Sequence, residues 1–157
     1  MVELIYTHPI DISEEMIIIS KLLGAAVLGA VIGYDRPSSD AGLRTYASVC
    51  MGAALFTSIA GHLEDVVATS RIVANVVMGI GFLGAGIVYK DAATVYSKGL
   101  TTAATIWCTA AVGVAVGLNM FVIAGAGALL VNHHQPAPPR MVRALESTHQ
   151  GHDENID

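Results

Sequence analysis

The chain has 157 residues, of which 54% are hydrophobic and only 13% charged, with a net charge of −5; its mean hydropathy is +0.60. Soluble domains carry about 25% charged residues, so an ordinary water-soluble domain is excluded and one polytopic membrane domain fits the length. No basic patch stands ready to neutralise phosphates, which excludes a nucleic-acid partner.

Residues 1–13 form a short lead, interrupted by Pro9 and lacking the basic start of a cleavable signal peptide. Asp11 followed by Glu14 has the spacing of a capping box. A first membrane helix over 14–34 follows, in which Ala25, Gly29 and Gly33 recur at four-residue steps. Such a ridge of small residues lets another helix approach closely. Lys21 lies about two turns in; it either snorkels to the nearer interface or is a buried functional cation.

The stretch 34–43, with Pro37, Ser38, Ser39 and Gly42, is the first break. A second helix is predicted over 43–60, then a loop over 61–70 containing His62, Glu64 and Asp65. Residues 71–89 are apolar over the roughly 20 residues that cross a bilayer, yet they hold Gly79, Gly81, Gly84 and Gly86. In a soluble helix each glycine costs about 1 kcal/mol against alanine; in lipid, small residues let helices press together. Asn75 lies four residues after Arg71 on one face. An amide in hydrocarbon needs partners, so a helix–helix hydrogen bond is expected, with the lining of a polar cavity as the alternative.

A polar connector over 90–99 leads to residues 100–131, which are too long for one span and short for two generous ones. Gly117-Leu118-Asn119 offers a turn, dividing them into a fourth helix over 100–117 and a short fifth over 120–131. Gly113 and Gly117 form another small-residue pair. Thr101 and Thr105 share a face, able to satisfy carbonyls of the glycine-rich helix or line a pocket beside it, with Thr102 alongside. Residues 132–157 turn abruptly polar and proline-rich and read as a disordered tail. His133, His134, His149 and His152 could bind a metal, but in a tail rich in proline and polar residues solvated side chains are expected.

The distribution of basic residues supports five helices with the amino terminus outside. In that arrangement Arg36, Arg44, Lys90, Lys98, Arg140 and Arg143 are cytoplasmic and only Lys21 and Arg71 of the eight face outward. A single helix over 100–131 would move Arg140 and Arg143 outside and abolish the bias. The predicted fold is therefore all-α, a bundle of about five transmembrane helices packed through glycine, with a membrane domain over 14–131.

The blocks "AGLRT" at 41–45, "VCMGAALFT" at 49–57, "GIGFLGAG" at 79–86 and "KGLTTAATIWCTAAVGVAVG" at 98–117 resemble the MgtC/SapB family in order and content, over roughly residues 21–131. The resemblance implies a bacterial inner-membrane protein tied to magnesium homeostasis, low-magnesium adaptation and survival inside macrophages. A membrane partner such as ATP synthase is one route it implies. Where the family usually has Gly-Leu-Glu-Arg, this chain has Gly33-Tyr34-Asp35-Arg36. Where the family often has His after Leu-Arg-Thr, it has Tyr46, which removes a titrating group. Many relatives also continue into a soluble domain, where this chain is expected to stop after its tail.

The residues expected to carry function are Asp35, Arg36, Arg44, Thr45, Asn75, Lys98, Thr101 and Thr102. The charges, with Asp40, Lys90 and Asp91, would gather at the cytoplasmic mouth. They either pair to fix helix ends, Asp35 with Arg44 first among them, or form a working surface for a partner or ligand. No nucleophile–base pair, phosphate loop or metal cluster has mechanistic spacing, so no catalysis, no cofactor and no metal site are expected. Two readings remain: a non-catalytic membrane protein acting through another, or a small transporter of Mg²⁺ or another cation. The acids sit at helix ends rather than inside the spans, which weighs against a path for a cation that sheds its water reluctantly. Self-association, most simply a dimer, is expected through Ala25/Gly29/Gly33 or Gly113/Gly117.

Overall fold

The computed structural model describes residues 11–34, 41–63, 65–90 and 97–133. Among these, five helices follow one another: α1 Ile12–Tyr34, α2 Leu43–His62, α3 Val66–Ile87, α4 Leu100–Gly117 and α5 Phe121–His133. A two-residue antiparallel pair, β1 Tyr89–Lys90 and β2 Ser97–Lys98, closes the connector between α3 and α4.

The helix ends depart from expectation in ways the side chains explain. The Asp11–Glu14 capping box does not form. The Asp11 carboxylate accepts the Ser13 hydroxyl at 2.7 Å, and Glu14 instead lies 3.5 Å from His62 Nδ1 at the end of α2. The loop predicted over 61–70 is shorter than expected, α2 running to His62 and α3 starting at Val66, because Asp65 caps α3. Its carboxylate accepts the amides of Val67 and Ala68 at 2.8 and 3.2 Å, so α3 starts five residues before Arg71. Thr69 Oγ1 then donates to the Ala60 carbonyl at 2.9 Å and ties the two helix ends together. The turn between α4 and α5 lies where the sequence put it, with Asn119 left-handed at φ 63°, a conformation asparagine tolerates better than most residues. α5 runs to His133, so Asn132 and His133 are helical rather than part of a tail.

The glycine ridges set the packing. A Cβ on Gly29 would stand 2.5 Å from the Tyr46 carbonyl and 2.8 Å from Cys50 Cβ, and one on Gly33 would stand 2.8 Å from Leu43 Cα. As numbers rise along α1 they fall along α2, so these helices are antiparallel. On the other side of α2, Gly113 lies against Cys50 and Ala53, and Gly117 against Ala54 and Thr57. There both series rise together, so α2 and α4 are parallel neighbours. Both ridges are thus consumed inside one protomer. Self-association through Ala25/Gly29/Gly33 or Gly113/Gly117 is corrected accordingly, since a second copy cannot reach faces that α2 already fills.

α2 is the centre of the bundle. Its Tyr46 is the largest fully buried side chain, and Cys50, Ala54, Thr57 and Ser58 are buried along it. α1, α3 and α4 are each long and apolar enough to cross a membrane, whereas α5 is a shorter apolar helix of 13 residues. That is about 20 Å of helix against a hydrocarbon core of about 30 Å. α2, at 20 residues, is less apolar because flanking helices rather than lipid meet much of its surface. Thr57 is compatible with burial because its hydroxyl donates to the Ala53 carbonyl at 2.8 Å. The same device serves α4, where Thr105 donates to Thr101 and Thr109 to Thr105, each at 2.8 Å. The Thr105 hydroxyl is satisfied by its own helix, not by carbonyls of α3. The result is a helical membrane bundle.

Candidate functional site

Because α2 and α4 are parallel, both begin at the same end of the bundle. Arg44 and Thr45 open α2 and are exposed. Arg44 makes no ion pair among the described residues. Lys98 lies in β2, exposed but engaged with a neighbour, and Gly99 caps α4 ahead of Thr101 and Thr102. Thr101 is exposed and Thr102 half-buried and engaged. Two helix N-termini, each equivalent to about half a positive charge, therefore sit at one end with Arg44 and Lys98. Asp35 and Arg36, expected beside them, lie outside the described residues, as do Asp40 and Asp91; the pairing of Asp35 with Arg44 falls there too.

Gly99 is the hinge of this end. Its φ is +84°, and a Cβ would run into the Ile87 carbonyl. Only glycine combines that left-handed backbone with so close an approach, which brings the start of α4 against the end of α3.

Asn75 is elsewhere. It lies on α3, exposed, at the edge of a groove of about 640 Å³ between α2 and α3. The groove is lined on one side by Ser48, Gly52 and Phe56 and on the other by Asn75, Gly79 and Leu83, among others. Gly52 is absent from the residues that the sequence singles out, although its four-residue step from Ser48 on α2 is visible there. Of the central glycines, only Gly84 meets a neighbour, 3.6 Å from Ala103 Cβ, while Gly79, Gly81 and Gly86 face open space. The glycine-rich helix is therefore the loosest of the five; none of its residues is buried.

At the opposite end, Lys21 Nζ donates to the Gly117 carbonyl at 3.4 Å. It neutralises the C-terminal pole of α4 rather than only snorkelling to lipid. Ser58, buried one turn from His62, has no hydrogen-bond partner for its hydroxyl. Among the described residues no three His, Cys, Asp or Glu side chains converge on a metal-sized site. Asp11, Glu14, Glu15 and Asp65, the acids described, all lie at helix starts.

A polytopic helical membrane protein with parallel central helices, glycine-mediated packing and a basic helix-start end is the class these features define. A sequence model of the MgtC family matches residues 22–134, and the chain belongs to that family. It is similar to Protein MgtC of Brucella abortus strain 2308, at 46% identity over 101 residues covering 63% of this chain and 42% of the relative. It is similar also to Protein MgtC of Salmonella typhimurium strain LT2, at 44% over 115 residues covering 72% of this chain and 48% of the relative. The chain thus spans just under half the length of these relatives. No solved structure matches it.

Proposed function

We propose that the protein is a non-catalytic component of magnesium homeostasis or low-magnesium adaptation in the bacterial inner membrane, acting by engaging another membrane protein. The amino terminus faces out and the basic end faces the cytoplasm. The observation that carries this reading is the meeting of two helix N-termini with Arg44 and Lys98 at one end. That arrangement suits an acidic group presented by a partner, which a guanidinium can hold in a two-pronged bond. Arg44 is exposed and makes no ion pair among the described residues. Self-association, with a dimer as the simplest form, belongs to the same reading.

The experiment is complementation of growth at low magnesium with abundance measured in parallel. Arg44→Gln is expected to abolish growth support at normal membrane abundance, and Arg44→Lys to fail as well, because a point charge cannot reproduce the fork. Full activity in Arg44→Lys at normal abundance would show that the arginine only reaches lipid phosphates. The alternative, a small cation transporter, requires oxygen ligands along the spans. The placement of the described acids at helix starts argues for the partner reading.

A further inference from the structure

α3 presents one long face that nothing in the protomer covers. Asn75, Met78, Phe82 and Ala85 recur at alternating three- and four-residue steps and all are exposed, Phe82 by 81%. On the other side of the helix, Val73, Ile80 and Ile87 are half-buried, and Ile80 and Ile87 pack on the core. The exposed positions are the a and d sites of a heptad, the spacing of two helices wound around each other in a left-handed pair, which is also the common crossing in membranes.

Lipid covers Met78 and Phe82 readily, but it offers no partner to an amide. Asn75 stands about 13 Å from the start of a helix about 33 Å long, within the hydrocarbon. Its side chain makes no hydrogen bond to another described residue. Ser48, the other polar side chain at the groove, stands on the opposite wall.

We propose that a second copy of this chain covers this face, with the two α3 helices packed in parallel about a twofold axis along the membrane normal and the two Asn75 amides bonded to each other. The amide carries both donors and an acceptor, so the face is complementary to itself at the one position where lipid fails. All copies insert with one orientation, and a twofold axis along the normal brings the same residue of each α3 together. The heptad steps then place Asn75 opposite Asn75 and Phe82 opposite Phe82. An asparagine at a single such position fixes register in paired helices. Ala85 on the seam and Gly79 beside it leave room for the backbones to approach. Arg71 lies nearer the start of α3, at the end of the seam, where its long side chain extends to water. This assignment rests on the self-associating reading above and names its surface.

The test uses the full chain carrying Cys50→Ala and Cys108→Ala in nanodiscs and in membranes. Single cysteines from Met78→Cys, Phe82→Cys and Ala85→Cys are expected to form dimers under mild oxidation, while Val73→Cys, Ile80→Cys and Ile87→Cys do not. In the native background, Asn75→Leu is expected to weaken dimerisation about tenfold, with Asn75→Gln retaining most of it. A dimer by mass that fails to cross-link at 78, 82 and 85, or that cross-links equally at 73, 80 and 87, overturns the seam and leaves self-association standing. An unchanged dimer in Asn75→Leu overturns the amide pair. A monomer at every concentration removes both the seam and the self-associating reading. Should Asn75→Leu fail to fold, the cross-linking pattern alone decides.

Discussion

At the end of α4 the Gly117 carbonyl has no helical partner of its own, and Lys21 supplies a donor from 3.4 Å. Lys21→Met removes that donor and the charge at the negative pole of the helix, and is expected to cost about 1 kcal/mol. Lys21→Arg should recover most of it; thermal unfolding in mild detergent reads both. A lysine that only snorkelled would leave the midpoint unchanged in either variant. Gly99 makes a sharper case. Gly99→Ala must hold a side chain at φ +84° against the Ile87 carbonyl, at about 1–2 kcal/mol for the backbone alone with the clash added. Unfolding near the wild-type midpoint would contradict this geometry. Neither contact was legible beforehand. Lys21 lies 96 residues from its partner, and no local pattern names a carbonyl that far away. Asn119 was legible, because a small polar residue after glycine in a long apolar run marks a turn by its own chemistry.

The ridges are the lesson of the element scale. Four-residue steps of small residues announced that α1 and α4 would be closely approached, and both are. The sequence did not say by what. α2 occupies both ridges, since Tyr46 and Cys50 meet Gly29 while Cys50, Ala53 and Thr57 meet Gly113 and Gly117. Gly29→Leu and Gly113→Leu are therefore expected to destabilise the protomer itself, by about 3 kcal/mol, rather than to yield folded monomers. Gly81→Leu, with nothing within 4 Å, should fold normally. The monodisperse fraction on size exclusion separates these outcomes: a folded, well-behaved Gly113→Leu monomer would restore the ridge as an outer surface. The start of α3 was misplaced for a local reason. With His62 and Glu64 nearby, Asp65 has the composition of a loop, whereas its carboxylate accepts two amides and begins a helix.

For the whole molecule, alternation of polar and apolar stretches was enough to count the helices, because each connector in lipid must end in water. With the bias of basic residues it also brought Arg44 and Lys98 to one end, but it could not show that α2 and α4 lie side by side there. The sequence kept Asn75 apart from that set, four residues from the outward Arg71, but could not place it on the groove between α2 and α3. The orientation of that end is open to labelling. Leu63→Cys should react with an impermeant reagent from outside, and Ser38→Cys and Ala93→Cys should be spared; the reverse pattern would invert the bundle. The most direct measurement of the central claim is flux. Purified protein in liposomes, with Mg²⁺ and protons followed by internal indicators, is expected to show no uptake above protein-free vesicles, as befits a protein that works through a partner. Saturable, protein-dependent Mg²⁺ entry would contradict the account and make the chain a transporter.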